Sequence, residues 1–107
     1  MKSIEYNKLV RDRIPEIIEK AGKIPHWRKI EGEEYKKALD LKLLEEVGEY
    51  LESGKTEELA DIYEVMLAIL ALRKTELDDF YKICKDKTQN RGAFKEGIFL
   101  EKVREDE

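Results

Sequence analysis

The chain has 107 residues, enough for one domain with a single core, so we treat residues 1–107 as one domain. Charged residues make up 43% of the sequence, but acids and bases nearly cancel to a formal net charge of −4. This balance argues against a surface that coats nucleic acid or a polybasic surface that binds membranes. We therefore expect no nucleic-acid partner and no membrane partner.

Three features of the sequence bear on its location. Asp61 and Glu64 interrupt the longest apolar run, which leaves it too polar for a membrane span. The first residues turn polar at once, which predicts no signal peptide. The only cysteine, Cys84, cannot form an internal disulfide. We therefore expect a cytoplasmic protein.

The first predicted element is a short helix over residues 16–21. Pro15 suits the first helical turn, where its missing N–H costs nothing, and Gly22 suits the exit. The preceding residues 6–14 are mixed in character and predict an extended entry. Residues 24–30, which contain a proline and a tryptophan, predict a turn followed by a short strand.

A long helix is predicted next, over residues 33–52. Its apolar stripe consists of Leu39, Leu43, Val47, Tyr50 and Leu51. Gly48 costs this helix about 1 kcal/mol relative to alanine, so we expect it to permit close packing. Residues 53–56 form a short turn, and the connection is so short that the next helix must be an antiparallel neighbour.

Two further helices follow this turn. Thr56, followed by two acids, predicts an N-cap for a helix that runs to Arg73. Thr75 is the N-cap candidate of a helix that runs to about residue 87. The tail, residues 91–103, has two glycines and an apolar cluster, which predict a loop and a short strand.

The predicted fold is all-α: a helical bundle with three principal helices, a short N-terminal helix and two short strands. The helix over residues 59–72 is so apolar that it needs cover on nearly all sides. A three-helix monomer of this length supplies little cover, so we predict a homodimer with this helix at the interface.

Two acidic pairs are spaced i,i+3, namely Glu46 with Glu49 and Glu58 with Asp61. Residues three apart are neighbours on a helix, so each pair can direct two carboxylates towards one point, and the antiparallel turn brings the pairs together. Glu58 and Asp61 fall on the apolar face of their helix, where an unpaired charge is costly, and no cation precedes Arg73 on that helix. A hard cation such as Mg²⁺ or Mn²⁺ would supply the positive charge that these carboxylates lack on the helix.

The alternative interpretation is that these acids form an ordinary solvated surface, since the chain has 25 acidic residues. Glu64 and Glu52 fit that interpretation better than the metal one. Glu45 can be either a base near the metal or plain surface. His26 is the only histidine and a weak catalytic candidate, and Cys84 is expected in the core rather than as a nucleophile.

A basic group follows the fourth predicted helix. It consists of Lys85, Lys87, Asn90 and Arg91. One interpretation is substrate binding, since these side chains can form charge-assisted hydrogen bonds to an anionic phosphate. The other is that the cations complement the dipole at the end of a helix. The spacing does not decide between the two.

The acidic pattern, EEVGE at 45–49 followed by ELAD at 58–61, resembles the EExxE…ExxD signature of the MazG-like all-α NTP pyrophosphohydrolase superfamily. The opening YNKLVRDRIPEII (6–18) and the tail RGAFKEGIFL (91–100) are similar to those of its small single-domain, house-cleaning members. The phosphoribosyl-ATP pyrophosphohydrolases share the acidic motif without this N-terminal segment.

This resemblance implies Mg²⁺-dependent hydrolysis of a nucleoside triphosphate to the monophosphate and pyrophosphate. It implies a helical bundle completed as a homodimer or homotetramer. By resemblance, the metal ligands are Glu46, Glu49, Glu58 and Asp61, and Glu45 is the candidate that orients or deprotonates the attacking water. The alternatives are phosphoribosyl-ATP hydrolysis and a non-enzymatic helical interaction module.

Overall fold

The computed structural model describes residues 2–105 and is helical throughout its regular structure. Within that range the helices are α1 (Ile14–Lys20), α2 (Gly32–Ser53), α3 (Thr56–Leu72) and α4 (Leu77–Arg91). No strand forms among the described residues, so the all-α class is confirmed. The short strands predicted at 24–30 and in the tail 91–103 were wrong. A strand needs a neighbouring strand to satisfy its backbone groups, and neither segment has one in the described chain.

The described residues form two compact units, one up to residue 74 and one from residue 75 onward. The first unit contains α1, α2 and α3. The second contains α4 and the tail, whose residues 92–105 are exposed and lack regular secondary structure. None of the helices in residues 2–105 has both the length and the apolar character that a membrane span requires.

The helix ends follow the predictions in part. Pro15 lies in the first turn of α1, and Gly22 follows that helix with a φ of +83°. Thr56 is wrong as an N-cap, because the extended residue before α3 is Lys55, and Thr56 already lies in the helix. Thr75 is also wrong as an N-cap, because Glu76 occupies that position before α4 and Thr75 lies one residue earlier.

The helices α2 and α3 pack against each other as an antiparallel hairpin, as predicted. Gly54 ends α2 in the left-handed conformation, with φ 67° and ψ 13°, and its N–H donates to the carbonyl of Tyr50 at 2.8 Å. Glycine adopts this conformation without the steric cost that a Cβ would add, so it permits the tight reversal. The helices face each other through a small core in which Leu39 and Val65 are buried.

Gly48 does not serve close packing within the described chain. A Cβ built at this position would meet no atom within 4 Å, and the residue is exposed. The glycine therefore leaves an open surface on α2.

Large apolar side chains remain exposed on both helices of the hairpin. On α2 these are Leu41, Leu44 and Leu51, and on α3 Leu59 is 47% exposed. Two packed helices bury only the stripes that face each other, so the outer apolar positions stay in contact with solvent. The hairpin therefore carries far more apolar surface than its small core uses.

Candidate metal centre

Three acidic side chains converge on the α2–α3 hairpin. Glu46, Glu58 and Asp61 each provide one carboxylate oxygen, and these three oxygens lie within 4.8 Å of one another. Glu46 comes from α2, and the other two lie one turn apart on α3. The antiparallel packing of the helices brings the i,i+3 pair on α3 to the same place as the acid on α2.

Glu46 is the most buried of the three, with 6% of its surface exposed. Its Oε1 lies 3.2 Å from Lys42 Nζ, whereas its buried Oε2 has no hydrogen-bond partner within residues 2–105. Burial raises the pKa of Glu46, and the negative charge of Glu49 acts in the same direction, while Lys42 opposes both. A charged carboxylate in this position is costly, because one of its oxygens is shielded from solvent and has no donor among residues 2–105.

Glu49 lies beside this group without joining it. The side chain is exposed and supplies no oxygen to the set within 4.8 Å. Its negative charge nevertheless raises the pKa of Glu46, which lies one turn earlier on α2. The structure thus brings three of the four predicted ligands together and leaves the fourth adjacent.

Asp61 has a cationic partner that the sequence did not indicate. Arg11 Nη2 donates to Asp61 Oδ1 at 2.7 Å, and Arg11 Nη1 lies 3.7 Å from Glu64 Oε1. The side chain of Asp61 is 36% exposed. The expectation of a buried carboxylate with no positive charge nearby was therefore wrong for Asp61, because the cation comes from 50 residues earlier in the chain rather than from α3.

Glu45 occupies a basic corner next to Glu46. Its Oε1 accepts from Lys8 Nζ at 2.5 Å, and its Oε2 accepts from Lys42 Nζ at 3.0 Å. These contacts, chiefly the bond from Lys8, lower the pKa of Glu45, although partial burial opposes them. Burial disfavours the ammonium form of Lys42, yet its bonds to Glu45 and Glu46 leave its pKa raised. Both carboxylate oxygens of Glu45 are thus held by ammonium groups.

A cleft of about 250 Å³ adjoins this corner. Its lining consists of Asn7, Lys8, Leu9, Ala38, Leu41, Lys42 and Glu45. The cleft therefore lies between the N-terminal segment and α2, and two ammonium groups and one carboxylate face it.

Sequence reasoning missed all three cations of this region. Lys42 had a visible signal, because it lies three and four residues before Glu45 and Glu46 on the same helix. Lys8 and Arg11 had none, since only the folded path of the N-terminal segment places them beside acids of α2 and α3.

The remaining candidates lie on exposed surface. Glu64 and Glu52 are exposed, as the solvated-surface interpretation predicts. His26 is exposed. Cys84 is exposed as well, so its expected place in the core was wrong.

The four residues predicted to bind substrate all lie on α4. Lys85, Lys87, Asn90 and Arg91 are exposed along the second half of that helix. The helix continues to Arg91, about one turn beyond its predicted end, so the basic residues belong to the helix rather than to the segment after it. Arg91 lies in the last turn, where a cation complements the helix dipole. Their role in binding phosphate stays a prediction.

Comparison with known proteins adds little to this geometry. The chain matches no protein-family profile and no solved structure. It is similar to an uncharacterized protein of Mycolicibacterium smegmatis, with 56% identity over 41 residues. That stretch is 38% of this chain and 42% of the relative, so the match spans less than half of either protein.

Proposed function

We propose that this protein is a Mg²⁺-dependent nucleoside triphosphate pyrophosphohydrolase, which forms the monophosphate and pyrophosphate and so removes unwanted nucleotides from the cytoplasmic pool. One observation carries the proposal. Glu46 is buried with an unpartnered carboxylate oxygen, in a group whose three oxygens lie within 4.8 Å of one another. The EExxE…ExxD signature at 45–61 supports it independently.

The residues present fit a hard divalent cation. Mg²⁺ binds oxygen ligands and is commonly held by one or two carboxylates together with substrate phosphates. Glu46, Glu58 and Asp61 would hold the ion, and Glu49 is placed to support Glu46. When bound, the ion polarises a phosphoryl group and activates water, and Mn²⁺ can replace it. The positive charge would also supply the partner that Glu46 Oε2 lacks.

Glu45 is the candidate that orients the attacking water, and its surroundings set a condition on that role. Both of its oxygens accept hydrogen bonds from lysines, and its pKa is lowered mainly by the bond from Lys8. A carboxylate with a lowered pKa is a weak proton acceptor. Glu45 therefore acts as a base only after one of the two lysines, Lys8 or Lys42, has moved to another anion.

The proposal includes assembly as a homodimer or homotetramer. It is supported by the exposed leucines of the hairpin, of which Leu41, Leu44 and Leu51 are each at least 67% exposed. Exposed apolar side chains of this size along one helix favour a partner surface. A second copy of the hairpin would cover them.

A rival function is favoured by the ion pairs. Arg11 and Lys42 already compensate part of the acidic charge at Asp61 and Glu46, as expected for a non-enzymatic helical interaction module whose acids serve salt bridges. The two functions differ in one measurable property. The enzyme releases pyrophosphate from nucleoside triphosphates with Mg²⁺ and stops in EDTA, whereas the module does neither.

The deciding experiment compares Asp61→Asn with Glu64→Gln. Each change keeps the size of the side chain and removes one negative charge near Arg11, but only Asp61 belongs to the converging group. We expect Asp61→Asn to lose Mg²⁺ affinity and turnover together, and Glu64→Gln to keep both nearly intact. Pyrophosphate release is measured on a panel of normal, methylated, oxidised and deaminated nucleotides, with phosphoribosyl-ATP included. Near-wild-type release by Asp61→Asn would refute the site.

A further inference from the structure

Arg11 is the cation that contacts the proposed metal site on its α3 side. It lies in the segment before α1, outside any helix, and its side chain is 52% exposed. Its guanidinium lies 2.7 Å from Asp61 and 3.7 Å from Glu64. The group therefore holds a position beside a proposed metal ligand and is still open to solvent.

A guanidinium and a divalent cation compete at one carboxylate. A guanidinium and a metal ion that both contact Asp61 would repel each other, even in partly solvated surroundings. The negative charge of a substrate phosphate bound by the guanidinium would offset this repulsion. The planar fork of an arginine matches the oxygens of a phosphate and can donate two parallel hydrogen bonds to them.

We propose that Arg11 binds a phosphate of the substrate, and that Asp61 holds its guanidinium in place until the metal ion and the nucleotide arrive. This inference rests on the proposed function. It also rests on the unpartnered, buried oxygen of Glu46, which marks the same acidic group as incomplete without a cation.

The other cations near the group are less suited to this role. Lys42 is only 15% exposed and bonds both Glu45 and Glu46. Lys8 is held by Glu45, which does not belong to the converging oxygens. Arg13, two residues after Arg11, pairs with Glu16 of α1 instead. Arg13 therefore serves as a matched control from the same segment.

Two binding titrations test the inference without relying on turnover. Mn²⁺ is titrated alone into the protein, and inorganic pyrophosphate is titrated at saturating Mg²⁺. We expect Arg11→Gln to bind Mn²⁺ about tenfold more tightly, because a competing charge is gone. We expect it to bind pyrophosphate about tenfold more weakly, because a charge-assisted hydrogen bond is lost. Arg13→Gln should match the wild type in both titrations.

The opposite changes in Mn²⁺ affinity and pyrophosphate affinity distinguish a substrate-binding role of Arg11 from a purely structural ion pair. If Arg11 only anchored the N-terminal segment to α3, Arg11→Gln would leave the pyrophosphate affinity unchanged, or it would weaken the binding of both Mn²⁺ and pyrophosphate. Either result overturns the inference. Arg11→Lys keeps the charge without the fork, so it should recover part of the pyrophosphate affinity and the wild-type Mn²⁺ affinity. A wild-type protein that binds no Mn²⁺ would instead overturn the proposed function, which distinguishes the two failures.

Discussion

Glu46→Gln is the most informative substitution, because it changes stability in opposite directions with and without metal. The wild-type carboxylate is buried, one oxygen bonds Lys42 at 3.2 Å, and the other has no partner among residues 2–105. Glutamine keeps the shape and keeps an acceptor for Lys42 but removes the charge. In EDTA, the variant should therefore lose the desolvation penalty and the repulsion from Glu49.

The free energies involved predict that metal reverses which of the two proteins, wild type or Glu46→Gln, is more stable. Glutamine replaces the unpartnered oxygen by an amide NH2 that can donate to the neighbouring carboxylates, and a hydrogen bond to a charged group contributes about 1.5–3 kcal/mol. The weaker bond to Lys42 offsets part of this gain, so in EDTA the variant should be about 1 kcal/mol more stable. At a metal concentration a hundredfold above Kd, the wild type gains about 2.7 kcal/mol. If loss of a direct ligand weakens binding about a hundredfold, the variant gains only about 0.4 kcal/mol. The wild type should then be more stable by about 1.3 kcal/mol.

Thermal unfolding monitored by circular dichroism measures both differences. Wild type and Glu46→Gln are compared in EDTA and in saturating Mn²⁺, at matched ionic strength and equal protein concentration. For a chain of this size, the melting temperature of the variant should be about 5 °C above that of the wild type in EDTA and about 5 °C below it in saturating Mn²⁺. Glu52→Gln removes an exposed charge from the same helix and should follow the wild type in both buffers.

One result would refute this reasoning. If the variant and the wild type kept the same order of melting temperature in both buffers, metal would not bind through Glu46. An unchanged wild-type melting curve at saturating Mn²⁺ would count against the whole acidic group.

Two further predictions concern pH and assembly. The pKa of Glu45 is lowered, chiefly by Lys8, so the contribution of Glu45 to stability is present above pH about 4.5 and is lost as the pH falls through its folded-state pKa. The pKa of Glu46 is raised, chiefly by burial, so the contribution of Glu46 is largest below pH about 4.5 and is lost as the pH rises through its folded-state pKa. Urea unfolding in EDTA measures the free energy of unfolding against pH. We expect Glu45→Gln to reduce its pH dependence below about pH 4.5, and Glu46→Gln to reduce its pH dependence above that value. The same change for both variants would contradict these opposite pKa shifts. Light scattering at micromolar concentration should give a molar mass at least twice the chain mass of 12.6 kDa. Leu44→Glu, on the exposed surface of α2, should lower this molar mass. A monomeric wild type would contradict the proposed assembly.

The sequence determined the helices and the acidic pattern because both depend on local spacing. The apolar stripe of α2 predicts a long helix, and the observed Gly32–Ser53 differs from the predicted 33–52 by one residue at each end. The turn at Gly54 follows from local backbone chemistry as well. The i,i+3 spacing of the acids placed Glu58 and Asp61 on one side of α3, and the short turn placed Glu46 opposite them.

The tertiary structure decided how those acids are compensated. Arg11 reaches Asp61 across 50 residues, and Lys8 reaches Glu45 across 37, and no periodicity in the sequence encodes either contact. The fold also decided which acid lacks a partner, since that depends on the burial of Glu46 Oε2 between packed helices. Spacing along a helix determines which side chains are neighbours, but the charge and solvent around them depend on segments that only folding brings together.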